Sequence, residues 1–183
     1  MKQVQIRQEF DYPLQTLLEA REERYKHLDK FPELKNVSII SEEQTGDILK
    51  QTRHISIGDS MPAALVTILP QGASTLVETS EFHAQTHEHT FRVAPGGGLD
   101  NLFVVTGSSR YFALDGDRAG RDYEIEIVSK AFLVSAIVEG AIADLYTKNI
   151  EKDRQSILKF IEILAEEKQK QTGESAPEDA GGG

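Results

Sequence analysis

One periodic run near the C-terminus constrains this chain more than any other feature. Val134, Val138, Ala141, Ile142, Leu145, Tyr146, Ile150, Ile157, Phe160, Ile161 and Leu164 recur at three- and four-residue intervals, the spacing of a helix with one apolar face. Spanning roughly residues 132 to 168, this run predicts a helix on the order of 55 Å long. An apolar face of that length has to be covered by a broad surface, and the residues upstream read as one.

Val4 to Phe10 alternates apolar and polar side chains, as a half-buried strand does. Asp11-Tyr-Pro13 then reads as a helix start, with Asp11 as cap and Pro13 in the first turn. Leu14, Leu17, Leu18, Arg21, Tyr25 and Leu28 follow at helical spacing, and Phe31-Pro32 ends that helix. A run of strands comes next: Val37 to Glu43, a turn at Thr45-Gly46-Asp47, and Ile48 to Ile57. Thr75 to His83 and Thr86 to Val93 are two more, or one long strand bent at Ala84–Gln85. Leu102 to Leu114 and Arg121 to Lys130 form a hairpin around Asp115 to Gly120. On the last strand Asp122, Glu124 and Glu126 alternate with Tyr123, Ile125 and Ile127, so one face is wet and the other buried.

Between the strands, Ser60 to Pro70 reads as a short helix capped by Ser60, or else as an extended lid. Gly140 inside the long helix points either to a close approach by a strand or ligand or to a bend. From Gln169 the chain reads without period, and a disordered tail over 169–183 is expected after a domain over 1–168. Strand, helix, strand meander and long helix together specify an α+β fold. Its antiparallel sheet gathers the helices on one face and leaves a cleft beneath the last helix.

Several functions are excluded. Lys and Arg number 20 against 30 Asp and Glu, a formal charge of -10, whereas nucleic-acid binding needs a basic footprint. Without cysteine there is no disulfide framework, thiolate metal cluster or cysteine nucleophile. No stretch has the ~18 apolar residues of a membrane span and no leader is evident, so a cytoplasmic protein is expected. Nucleophile-elbow, phosphate-loop and His-Glu-x-x-His motifs are missing.

The pattern resembles the START-like superfamily, also called SRPBCC or helix-grip. It is carried by the opening strand VQIRQEF, the helix after DYP, the strand pair around TGD, and the hairpin SSRYFALDGDRAGRDYEIEI running into VSAIVEGAIADLYTKNIEKDRQSILKFI. The second half also looks like the PRELI-type lipid-transfer branch, in MPAAL, LVETSEF and KNIEKD. The resemblance covers about residues 4–166 and implies bacterial relatives. It implies a curved antiparallel sheet wrapped around the long C-terminal helix, with a short N-terminal helix after the first strand. It further implies that sheet and helix grip a hydrophobic ligand such as a lipid, sterol or polyketide. In PRELI-like proteins the region matching Ala63–Leu69 gates the cavity and touches membranes. That makes Leu65, Val66, Ile68 and Leu69 lid candidates here, with a core strand or core-packing helix as the other reading.

Alternation also nominates site residues. Arg53 falls in the apolar phase of its strand with Leu49, Gln51, Ile55 and Ile57, and Arg110 is placed in the phase of Val104, Phe112 and Leu114. His87 and His89 share a phase with Phe91 and Val93. A buried guanidinium needs a partner, either an internal carboxylate (Glu78, Glu81 or Asp153) or an anionic ligand. Asp153 stands in the gap of the apolar helix face between Ile150 and Ile157. His87-Glu-His89 has the roughly 7 Å spacing of two metal ligands on a strand. The glutamate that follows such a pair in cupins is replaced here by Val93 and Ala94, so no metal is assigned.

Three functions follow as expectations. The first is a non-catalytic binder or carrier of a lipid or other hydrophobic small molecule, in transient contact with membranes. Arg53, Arg110, His87, His89 and Asp153 would meet the ligand, with no cofactor and no assigned oligomeric state. The second is a cyclase, dehydratase or hydrolase using His87 or His89 as general acid/base. The third is a protein-interaction module whose cleft is filled by its own side chains.

Overall fold

The computed structural model describes residues 1–57, 61–68, 70 and 74–174. Ser60 and Leu69, and the tail from Ser175, lie outside the described residues. Alternating sequences become strands β1 (Lys2–Phe10), β2 (Val37–Thr45), β3 (Ile48–Ser56), β4 (Thr75–His83), β5 (Glu88–Pro95), β6 (Phe103–Leu114) and β7 (Arg118–Ser129). All pair antiparallel in one sheet of order β1-β7-β6-β5-β4-β3-β2. The helices are α1 (Leu14–Glu23), the single turn α2 (Ala63–Val66) and α3 (Ser135–Glu174). This is the expected α+β helix-grip arrangement, with a short helix after the first strand and a long last helix packed on β1 and β7.

Several local expectations are corrected. Pro13 itself occupies the N-cap of α1 with no capping side chain, so Asp11 is not the cap. The helix stops at Glu23 and gives way to 3₁₀ turns at Arg24–Lys26 and Pro32–Asn36. The helix α3 continues past Lys168 to Glu174. Gly140 is not a close approach, because among the described residues a Cβ there would meet only the tip of Lys2 at 4.0 Å.

The core has two halves. Val93, Val105, Ile125, Ile127, Leu65, Val138, Ile142 and Ile150 form one, under the first half of α3. Phe10, Leu17, Phe31, Tyr111, Ile157 and Phe160 form the other, where α1 meets the second half of α3. Asp153 lies at the seam between Ile150 and Ile157, so a polar layer divides the two apolar halves.

Candidate functional site

That polar layer is built on Arg121, the bulkiest of the fully buried side chains, only 1% exposed. It sits on β7 two residues before Tyr123, in the inward phase. Its Nη1 donates to Asp153 Oδ2 at 2.8 Å and to the Tyr111 hydroxyl at 3.3 Å, and its Nη2 donates to Gln8 Oε1 at 2.6 Å. Arg24, from the turn after α1, donates to the other oxygen of the Asp153 carboxylate and, through Nη1, to the Asp153 carbonyl at 3.2 Å. Burial alone would raise the Asp153 carboxyl, but these two guanidiniums outweigh it and hold the group well below the usual carboxylate range.

Beside this layer a cavity of about 360 Å³ opens between the sheet and α3. Phe91 and Tyr146 give it a flat apolar wall, their rings 7° from parallel with centroids 6.4 Å apart. His89 continues that wall, its ring 5.7 Å from Phe91. Arg53 and Glu78 face each other on β3 and β4, 4.0 Å apart. The Arg53 Nη2 donates to Gln51 Oε1 at 2.5 Å, and its guanidinium lies 5.2 Å from the Tyr25 ring. Among the described residues, Arg53 Nε, His89 Nε2 and Ser156 Oγ are buried without a hydrogen-bond partner, and all three residues line this cavity.

The electrostatics follow from burial. Desolvation, then repulsion from Arg21 and Arg53, lowers His89 to about 3, so the imidazole is neutral at physiological pH. Desolvation raises the Glu78 carboxyl against the pull of Arg53 and Arg21. Burial, and then Glu78, also raises the Tyr146 phenol, which stays protonated. A larger hollow of about 770 Å³ lies on the outer face of β2–β5, open to solvent between exposed side chains such as Lys50 and Arg92.

The structure brings Arg53, His89 and Asp153 to one cavity and leaves two other nominated residues outside it. Arg110 is exposed, because Phe103, Val105, Ser109 and Tyr111 form the inward phase of β6. His87 is not on a strand. It sits in the β4–β5 turn at φ 54°, its carbonyl accepting from Tyr111 N at 3.0 Å, so the two-histidine face does not form. Of the lid candidates, Leu65 is 1% exposed in the core, Ile68 packs partly against the same cluster, and Val66 is exposed at 59%. Glu81 points outward to Lys50 at 3.0 Å. Sequence reasoning missed Arg24, Arg121, Tyr25 and Tyr146 as site residues. For Arg121 a signal existed, since it shares the phase of Tyr123, Ile125 and Ile127.

No protein-family model and no curated protein matches the chain. Solved structures do. TTHA0849 from Thermus thermophilus matches at 11% identity and TM-score 0.55, over 89% of this chain and 99% of that one. The ZhuI aromatase/cyclase from Streptomyces sp. R1128 matches at 14% and 0.55, over 90% and 93%. Norcoclaurine synthase from Thalictrum flavum, in complex with dopamine and hydroxybenzaldehyde, matches at 17% and 0.55, over 90% and 87%. At these identities the likeness is one of fold, and it places the chain among helix-grip structures.

Proposed function

We propose that the chain binds a small hydrophobic molecule with one polar end, in the cavity between β3–β5 and α3, and does not transform it. The observation that carries this reading is the pairing of a flat apolar wall, Phe91 and Tyr146, with three buried polar atoms that have no partner among the described residues. An apolar pocket with a few convergent polar groups is the ordinary form of a small-molecule site. Its 360 Å³ lies at the lower end of the ~300–1,000 Å³ such sites span. That suits a single acyl chain or a fused-ring molecule better than a two-chain lipid. The carrier would act in the cytoplasm and load through transient membrane contact, as the PRELI-like pattern suggests.

A catalytic reading has two supports. ZhuI and norcoclaurine synthase are named as enzymes on this fold, and Glu78 is a buried carboxyl with a raised pKa facing the cavity. His89, held near 3, is too weak a base at neutral pH, so an acid/base role would fall to Glu78.

The test is native mass spectrometry of gently purified protein, followed by solvent extraction and titration with the neutral dye N-phenyl-1-naphthylamine. A stoichiometric adduct, or one dye per chain, is expected. Leu76→Trp, which places an indole in the cavity, should abolish dye binding with the fold intact by circular dichroism. Wild-type protein that carries no adduct and takes no dye would sink the proposal.

A further inference from the structure

Arg53 is a cation without an adequate counterion. Its side chain is 10% exposed, a depth at which a guanidinium needs both charge and hydrogen-bond partners. Its Nη2 donates to a neutral amide, its Nη1 stands 4.0 Å from Glu78, outside hydrogen-bond distance, and its Nε has no partner among the described residues. Asp153, the other cavity carboxylate, is committed to Arg24 and Arg121. Lys152 adds a further cation to the lining. The cavity therefore holds more positive than negative charge, although the chain as a whole is strongly acidic.

The second free polar atom narrows the ligand's chemistry. His89 projects from β5 on the same face of the sheet as Arg53 from β3, with β4 between them. Its Nε2 is buried and has no partner among the described residues, and a neutral imidazole can carry its proton on that nitrogen. A guanidinium beside a neutral N–H donor favours an acceptor that carries negative charge. An amine would have only Glu78 to meet and would face Arg53 and Lys152.

We infer that the cavity's ligand is an anion, its charged head group met by Arg53 and His89 and its apolar body laid against Phe91 and Tyr146. This rests on the binding reading above and adds the head-group class to it. The excess positive charge makes the preference one for an anion, not for any hydrogen-bond acceptor.

The experiment is isothermal titration calorimetry of the whole chain with three matched probes: 3-(2-naphthyl)propanoate, its methyl ester, and 3-(2-naphthyl)propylamine. The acid should bind wild-type protein at least about tenfold tighter than the ester, the size of one charge-assisted hydrogen bond. Arg53→Gln should bring acid and ester within about twofold, leaving ester affinity unchanged. His89→Phe should cut the acid's advantage several-fold. Equal binding of acid and ester, or a preference for the amine, overturns the anion inference while leaving the binding reading standing. If none of the three binds at millimolar concentration, both fall. Should Arg53→Gln not fold, the wild-type comparison and His89→Phe decide the matter.

Discussion

Asp153 and His89 give the protein two distinct acid sensitivities. The Asp153 carboxyl is pushed up by burial but held down more strongly by Arg24 and Arg121. A carboxyl depressed in the folded state stabilises the fold above its unfolded value of ~4, and that contribution is lost as pH falls below it. Asp153→Asn leaves two nearly buried guanidiniums facing a neutral group. It should cost about 3–5 kcal/mol at pH 7 by urea denaturation and remove part of the wild-type loss below pH 4. His89 works in a higher window. Its unfolded imidazole takes a proton near ~6.5, whereas burial, Arg21 and Arg53 hold the folded group to about 3. Its contribution is complete above pH 6.5 and erodes as pH falls from there toward 3. His89→Gln should flatten the stability curve between pH 6.5 and 4, and an unchanged slope would show that His89 titrates freely. Asp153 was visible in the sequence as the gap in an apolar helix face. Its partners were not, because Arg24 lies 129 and Arg121 32 residues away.

Single glycines show how the elements shape the site. In β6, Gly107 stands in the inward phase, and a Cβ there would lie 2.7 Å from both the Glu124 carbonyl oxygen and Phe91 Cζ. The missing side chain makes room for the Phe91 ring that walls the cavity. Gly107→Ala should therefore cost about 1–3 kcal/mol and weaken ligand binding as Phe91 is displaced. Gly140→Ala is the contrasting case, since among the described residues only Lys2 at 4.0 Å lies near its added methyl. It should stabilise α3 by up to about 1 kcal/mol. Denaturation midpoints of the two variants moving in the same direction would contradict this account. Strand positions were readable from alternation, but strand faces only where one phase was plainly more apolar. In β7 the phases separate cleanly. In β6 both carry apolar side chains, with Phe112 on the outer face beneath Arg7 at 5.0 Å, so alternation alone turns Arg110 inward. The His87 error has a different origin, a residue at positive φ that ends the strand where alternation continues it.

Over the whole molecule, the sheet and α3 enclose two apolar half-cores with a cationic layer and a cavity between them. Any ligand seated there binds only the folded chain, so it stabilises by mass action. A carboxylate at 100 times its dissociation constant should add about 2.7 kcal/mol, a rise in melting temperature of roughly 5–10 °C for a chain this size. The same probe should leave Leu76→Trp unshifted by differential scanning fluorimetry, and a shift there would place binding elsewhere. By itself the sequence determined what periodicity and composition can carry. Those are the order of strands and helices, the long α3 with its single apolar face, the α+β class, and the exclusion of a basic nucleic-acid surface. Only the tertiary structure decided the polar layer beside the cavity, because it sets residues from β1, β7, the turn after α1 and the middle of α3 around the Asp153 carboxylate. Local spacing records which face of an element is apolar. Which distant charge that face meets depends on strand order and helix placement, and no repeat within any one element encodes them.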